Sequence, residues 1–160
     1  MALFLLVLLI HPQPPLLDPG SAAPPVRLAT ADGGTDQAVG GAAGHTAVIA
    51  FLQTGCGTCV QQLPALCGLA QQQAPARFAV VDSAGEPAAA LRALRSGHAP
   101  ASCPVQFLVD PGLAVTRAYR VSVVPCYYVV DTTGHIAFAG FGQSALQALP
   151  SILQRVVHAG

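Results

Sequence analysis

Apolar residues fall into two kinds of block along this chain. Some are short, nearly continuous runs rich in β-branched and aromatic residues: Ala47–Leu52, Arg77–Asp82, Val105–Asp110 and Cys126–Asp131. Such runs predict strands buried on both faces. In others the apolar positions return every third or fourth residue. Val60, Leu63, Cys67, Ala70 and Ala74 predict a helix ending near Gln73 to Pro75. Ala90, Leu91 and Leu94 predict a second over Glu86–Ser96 with Gly97 as its stop, and a short third helix covers Leu113–Tyr119. Leu146, Leu149, Leu153, Val156 and Val157 predict a closing helix, in which Pro150 should make a kink or mark the true start. His135–Ala139 reads as the return strand of an edge hairpin after the turn Thr132–Gly134. Val26–Ala29 reads as a short strand whose partner lies near Gln37–Val39. Strands alternating with helices make an α/β domain with a central mixed β-sheet flanked by helices.

The ends of the chain add little to this core. Ala2–Ile10 is an unbroken apolar run closed by His11-Pro12. It is too short for a bilayer, which needs about 20 residues, and suits a signal-peptide core. Small residues for cleavage follow at Gly20–Ala23, but a basic segment ahead of the run is missing, so a start further upstream or an uncleaved anchor are the two readings. The division is residues 1–24 as apolar leader and Pro/Ala-rich linker, and 25–160 as the folded domain. Only 9% of residues are charged, the formal net charge is zero and there is no lysine, which excludes an electrostatic nucleic-acid partner.

The chemistry concentrates behind the first long strand. Ala47–Leu52 runs into Gln53-Thr54-Gly55, then Cys56-Gly57-Thr58-Cys59, then the first helix. Cys56 therefore sits at a helix N-terminus, where free N–H groups and the positive dipole end favour a sulfur anion. A strand, a C-x-x-C and a helix in that order form a redox arrangement. Cys56 is the expected nucleophile and Cys59 the resolving thiol, with a structural disulfide or half a zinc site as the alternatives. A zinc site wants a second pair of ligands, and none appears nearby.

Phe51–Pro64 resembles the active-site signature of thioredoxin-like proteins of the TlpA/ResA type. A second segment, Tyr119-Arg120-Val121 through Val124-Pro125 to Asp131, Gly134 and Ile136, resembles the downstream signature of the same family. The helix and strand inserted between Glu86 and Asp110 also match this subgroup, and the resemblance covers roughly Pro25 to Gln154. It implies a thioredoxin-like fold and an exported, often membrane-tethered thiol–disulfide oxidoreductase without a cofactor or metal. It implies a cis peptide bond at Pro125 set against Cys56 and Cys59, with Val124 and Pro125 shaping the groove for a protein disulfide or dithiol client. Gly57 and Thr58 would tune the potential, and a membrane electron donor of the thiol-transfer type would be a partner. Three positions depart from the family pattern: Gly55 replaces an aromatic residue, while Ala50 and Gln62 stand where acids are usual. No proton acceptor for Cys59 is visible.

Two other functions compete. A copper-delivery module of the same fold would use two cysteines and a distant histidine, but usually spaces the cysteines by three residues. A peroxiredoxin-like thiol peroxidase would want T-x-x-C, and Gln53 and Cys56 occupy the threonine positions ahead of Cys56 and Cys59. Of the remaining cysteines, Cys67 reads as an inert core thiol. Cys103 is left either to pair with it or to stay free, and Cys126 reads as a reduced, buried small residue. His45, His98, His135 and His158 read as surface residues without metal-ligand spacing.

Overall fold

The computed structural model describes residues 14–34, 37–39 and 44–159, so the run Ala2–Ile10 and its reading as signal or anchor lie outside it. A hairpin of β1 (Val26–Leu28) and β2 (Gln37–Val39) precedes β3 (Ala47–Leu52), α1 (Gly57–Gln72), β4 (Arg77–Asp82), α2 (Ala88–His98) and β5 (Gln106–Leu108). Then come α3 (Ala114–Ala118), β6 (Cys126–Val130), β7 (Ile136–Phe141) and α4 (Gly142–His158). The five-stranded sheet has the order β5-β4-β3-β6-β7. β4 runs parallel to β3 and to β5, whereas β6 is antiparallel to β3 and β7. The fold is thioredoxin-like, with β3 at the centre of a mixed sheet.

Every residue of β3 is buried because both sheet faces are covered. Side chains alternate across the pleat. Val48, Ala50, Leu52, Val80, Tyr127 and Val129 point into a core closed by α1, α2 and α4. Ala47, Ile49, Phe51, Val81, Cys126, Tyr128 and Val130 point into a second core. α3 supplies Val115 to that second core, and the N-terminal segment supplies Leu16, Leu17 and Ala23.

That N-terminal segment differs from the linker expected between Leu16 and Pro25. Gly20 N–H donates to Ile136 O at 2.7 Å, Ile136 N–H to Ser21 O at 2.8 Å and Ala23 N–H to Gly134 O at 2.9 Å. The cause lies beneath it. Phe51, Tyr119 and Tyr128 pack edge-on or tilted, with ring centroids 4.9–6.1 Å apart, and buried hydroxyls need partners. Tyr119 Oη donates to Pro24 O at 2.7 Å, Tyr128 Oη donates to Tyr119 O at 2.6 Å, and Leu17 N–H donates back to Tyr128 Oη. The segment is a strap over the second core.

Smaller differences have local causes. α2 runs through Gly97 to His98, and stops where Ala99, which precedes Pro100, turns extended. Pro150 neither starts nor ends α4, because Leu146 and Leu149 before it and Ile152 and Leu153 after it share one buried stripe. β5 is shorter than Val105–Asp110. It is flanked by Pro104 and Pro111, and its outer edge bonds instead to the hairpin, through Ala31 N–H to Phe107 O and Val109 N–H to Ala29 O.

Candidate active site

β3 ends at Leu52 and the chain turns at once, with Cys56 N–H donating to Gln53 O at 3.2 Å. Cys56 is the N-cap of α1, in extended backbone geometry (φ −89°, ψ 105°), and its Sγ accepts the Cys59 N–H at 3.2 Å. A sulfur that already accepts a helix N–H is placed to carry negative charge. Cys56 and Cys59 form a disulfide with Cα atoms 5.2 Å apart. The pair is asymmetric: Cys59 is 1% exposed, Cys56 is half-buried, and Gly57 and Thr58 beside it are exposed. A Cβ at Gly55 or Gly57 would meet nothing within 4 Å, so the approach to Cys56 is open.

The Val124–Pro125 peptide bond is cis. Cys126 stands opposite Phe51 in the β3–β6 register, so Pro125 lies level with the end of β3 where the turn to Cys56 begins. Pro125 is buried, its carbonyl accepts Gly142 N–H at 2.9 Å, and the half-buried Val124 packs against both cores.

Cys126 is a free, buried thiol on the opposite sheet face from Cys59. Burial pushes its thiol up to about 12, only partly offset by the Tyr127 backbone N–H. The folded state thus holds this proton more tightly than the unfolded chain. The resulting stability is complete below the thiol's usual range and is lost as pH rises toward about 12. Alkylation of the native oxidised protein at pH 8 should leave Cys126 unlabelled, and unfolding should release one reactive thiol, counted by peptide mapping. Labelling of Cys126 in the native protein at the rate of a free thiol would contradict this burial.

Cys67 is not a free thiol. It forms a second disulfide with Cys103, Cα atoms 5.0 Å apart, with both residues buried. The loop carrying Cys103 crosses α1, where Gln71 Nε2 donates to Ser102 O and Oγ, at 3.3 and 2.9 Å, and Arg95 reaches Cys103 O. This crossing depends on the placement of α2, which local sequence does not carry.

One turn beyond Cys59 the buried face of α1 carries a polar but uncharged side chain. It is Gln62, which is 3% exposed. Tyr127 Oη donates to its Oε1 at 2.6 Å, and its Nε2 donates to Gln143 Oε1 at 3.2 Å. Tyr127 stands opposite Ala50. The two positions without the family's acids are therefore joined by one tyrosine, which burial keeps protonated.

Carboxylates do approach the site from β4, and the sequence reading passed over them. Glu86 accepts Thr54 N–H at 3.0 Å and the Thr54 hydroxyl. Asp82, at the end of β4, accepts the backbone N–H groups of Ala84, at 3.0 Å, and Glu86. Burial raises the Asp82 carboxyl above its usual range against the pull of those two N–H groups, and the Glu86 charge adds to the rise. The spacing of Asp82 and Glu86 at a strand end was the available signal. Among the described residues no three His, Cys, Asp or Glu side chains converge on a metal position.

Comparison with known proteins agrees with this geometry. No curated protein matches the chain. Several solved structures share its fold. A putative thiol:disulfide interchange protein DsbE from Chlorobium tepidum is 22% identical (TM-score 0.73; 88% of this chain and 98% of that one covered). A secreted disulfide oxidoreductase of Mycobacterium tuberculosis homologous to E. coli DsbE is 17% identical (TM-score 0.67; 81% and 94%). A putative protein disulfide isomerase from Bacteroides thetaiotaomicron is 19% identical (TM-score 0.69; 89% and 94%). The Redoxin family model matches residues 18–152, most of the chain and both segments that build the site. The chain belongs to the Redoxin family and is a thiol–disulfide oxidoreductase of thioredoxin-like fold.

Proposed function

We propose that the protein exchanges disulfides with protein clients outside the cytoplasm, with Cys56 as nucleophile and Cys59 as resolving thiol. The carrying observation is the asymmetric pair: a half-buried Cys56 sulfur capping α1 and a Cys59 sulfur withdrawn behind it. In the reducing direction the Cys56 thiolate attacks a client disulfide, joins one client sulfur and releases the other. Cys59 then attacks Cys56, closing the Cys56–Cys59 disulfide and expelling the client as a thiolate that takes up the proton Cys59 loses. That uptake by the departing sulfur suits a Cys59 whose own helix face carries the neutral Gln62–Tyr127 pair. Val124 and Pro125 would form the wall along which the client backbone lies, and Gly57 and Thr58 leave the entrance open while setting the potential.

The second disulfide supports the location, since a buried Cys67–Cys103 bridge suits an oxidising compartment. Among the described residues no helix is long and apolar enough to cross a membrane. Export or tethering would fall to the leader Ala2–Ile10, and the catalytic unit would be the domain at 25–160 with the strap before it. A membrane dithiol donor would then return the oxidised pair to its reduced form. Equilibration with graded thiol/disulfide buffers, followed by acid quench and alkylation, tests this reading. The Cys56–Cys59 bond should open and close reversibly, the reduced protein should reduce a polypeptide disulfide catalytically, and Cys67–Cys103 should stay closed throughout. A Cys56–Cys59 bond inert to every buffer would sink the proposal.

A further inference from the structure

The turn that carries Cys56 is bolted to the loop after β4. Ser83 N–H and Oγ both donate to Leu52 O at 3.0 Å, and Gln53 Nε2 donates to Ser83 O at 3.4 Å. Glu86 completes the joint by accepting both donors of Thr54, its backbone N–H being held by Asp82. Thr54 lies one residue past Gln53, whose carbonyl takes the Cys56 N–H. A carboxylate gripping Thr54 thus fixes the turn that delivers the nucleophile to the head of α1.

Its charge has a second consequence. Glu86 is half-buried, its partners at the turn are the neutral donors of Thr54, and the acid beside it is Asp82, whose carboxyl burial pushes above its usual range. Among the described residues no arginine or histidine pairs with Glu86. A negative charge held on the turn two residues ahead of a thiol opposes formation of the thiolate. The helix N-terminus pulls Cys56 toward the anion, and the Glu86 side pushes back.

We propose that Glu86 is a positioning residue for Cys56, holding the Thr54 turn in place and moderating, by its charge, how readily the Cys56 thiolate forms. This rests on the reading of Cys56 as the nucleophile. It assigns a role in this reaction to a residue outside both cysteine and proline segments.

The test separates charge from grip. In Glu86→Gln the side chain keeps an acceptor for Thr54 and loses its charge. In Thr54→Val the charge stays and the hydroxyl contact is removed. The dithiol-reduced full chain is alkylated across a pH series, Cys56 is followed by peptide mapping, and turnover on a polypeptide disulfide is measured alongside. Asp32→Asn, at an exposed ion pair with Arg95, serves as the remote control. Glu86→Gln should move the Cys56 alkylation midpoint down by about half a pH unit, a rate gain of about threefold below the midpoint. Thr54→Val should slow turnover without lowering that midpoint. A purely structural contact would not shift the midpoint when an acceptor is retained. If both variants match the wild type in midpoint and turnover, or if Glu86→Gln raises the midpoint, the assignment to Glu86 is wrong. If Cys56 is not the thiol whose alkylation stops turnover in the wild type, the underlying reading of Cys56 fails instead.

Discussion

Cys56→Ser should abolish disulfide exchange, with turnover falling to the uncatalysed background, while Cys59→Ser should keep the first step and lose the second. The two variants are not equivalent because the sulfurs are not. Cys56 caps α1, accepts a backbone N–H and is half-buried; Cys59 is 1% exposed, so on the proposed mechanism a client would reach it only through Cys56. Serine at 56 removes the one sulfur a client disulfide can meet, and an alkoxide is no substitute at neutral pH. Serine at 59 leaves that sulfur in place but removes the intramolecular attack that releases the client, so a mixed disulfide through Cys56 accumulates. Non-reducing gels and mass spectrometry of the Cys59→Ser protein, mixed with an oxidised polypeptide after reduction, read this directly. Full turnover in Cys56→Ser, or no captured client in Cys59→Ser, would overturn the assignment of roles.

Much of this site was legible because its parts are local. The run Ala47–Leu52, the Cys56–Cys59 spacing and the apolar stripe of α1 place a strand, a turn and a helix within one stretch of chain. The runs of β3 and β4 follow from burial on both faces, which leaves their interiors apolar, with Arg77 and Asp82 only at the two ends of β4. Val124 and Pro125 were legible by resemblance alone, as nothing in their own spacing sets them level with the end of β3. Glu86 escaped notice because its importance lies in a contact with Thr54 across two strands, and an acid at the start of a helix reads equally well as a favourable dipole contact. Gln62 looked like a mere loss of an acid. The fold shows why it is tolerated, since Tyr127, opposite Ala50, fills the gap and satisfies the amide.

The strap and the termini of helices teach the same lesson from the other side. Leu16–Pro25 has the proline and glycine content of a linker, and by composition it is one. It is ordered because Tyr119 and Tyr128 bury hydroxyls that need backbone partners, and the strap supplies them. Pro150 is a breaker by propensity, overridden by a continuous buried stripe in α4, whereas α2 passes Gly97 and stops only at His98, ahead of Ala99-Pro100. Local propensity gave way wherever tertiary partners were available.

Joint replacement of Cys67 and Cys103 by alanine should lower the free energy of unfolding by about 4 kcal/mol, the chain-entropy value for a loop of this length. The bridge spans a sequence separation of 36 and joins the middle of α1 to the loop between α2 and β5. Cutting it lets the unfolded chain explore that loop freely, while the folded state keeps its packing around two small residues. Alanine is the better probe than serine, because both positions are buried and a hydroxyl there would need a partner. Against a total stability of roughly 5–15 kcal/mol for a domain, such a loss is severe. Urea unfolding of oxidised wild type and the double variant measures it: the midpoint should fall, and the slope should rise slightly because the uncrosslinked chain exposes more surface. Opening Cys56–Cys59 should cost about 2 kcal/mol less, since the chain entropy removed grows only with the logarithm of loop length between separations of 3 and 36. Such a result would divide the two disulfides by task, a reactive one at the head of α1 and a permanent one along it. If the double variant loses under about 1 kcal/mol, the bridge is not the constraint that the chain-entropy account requires.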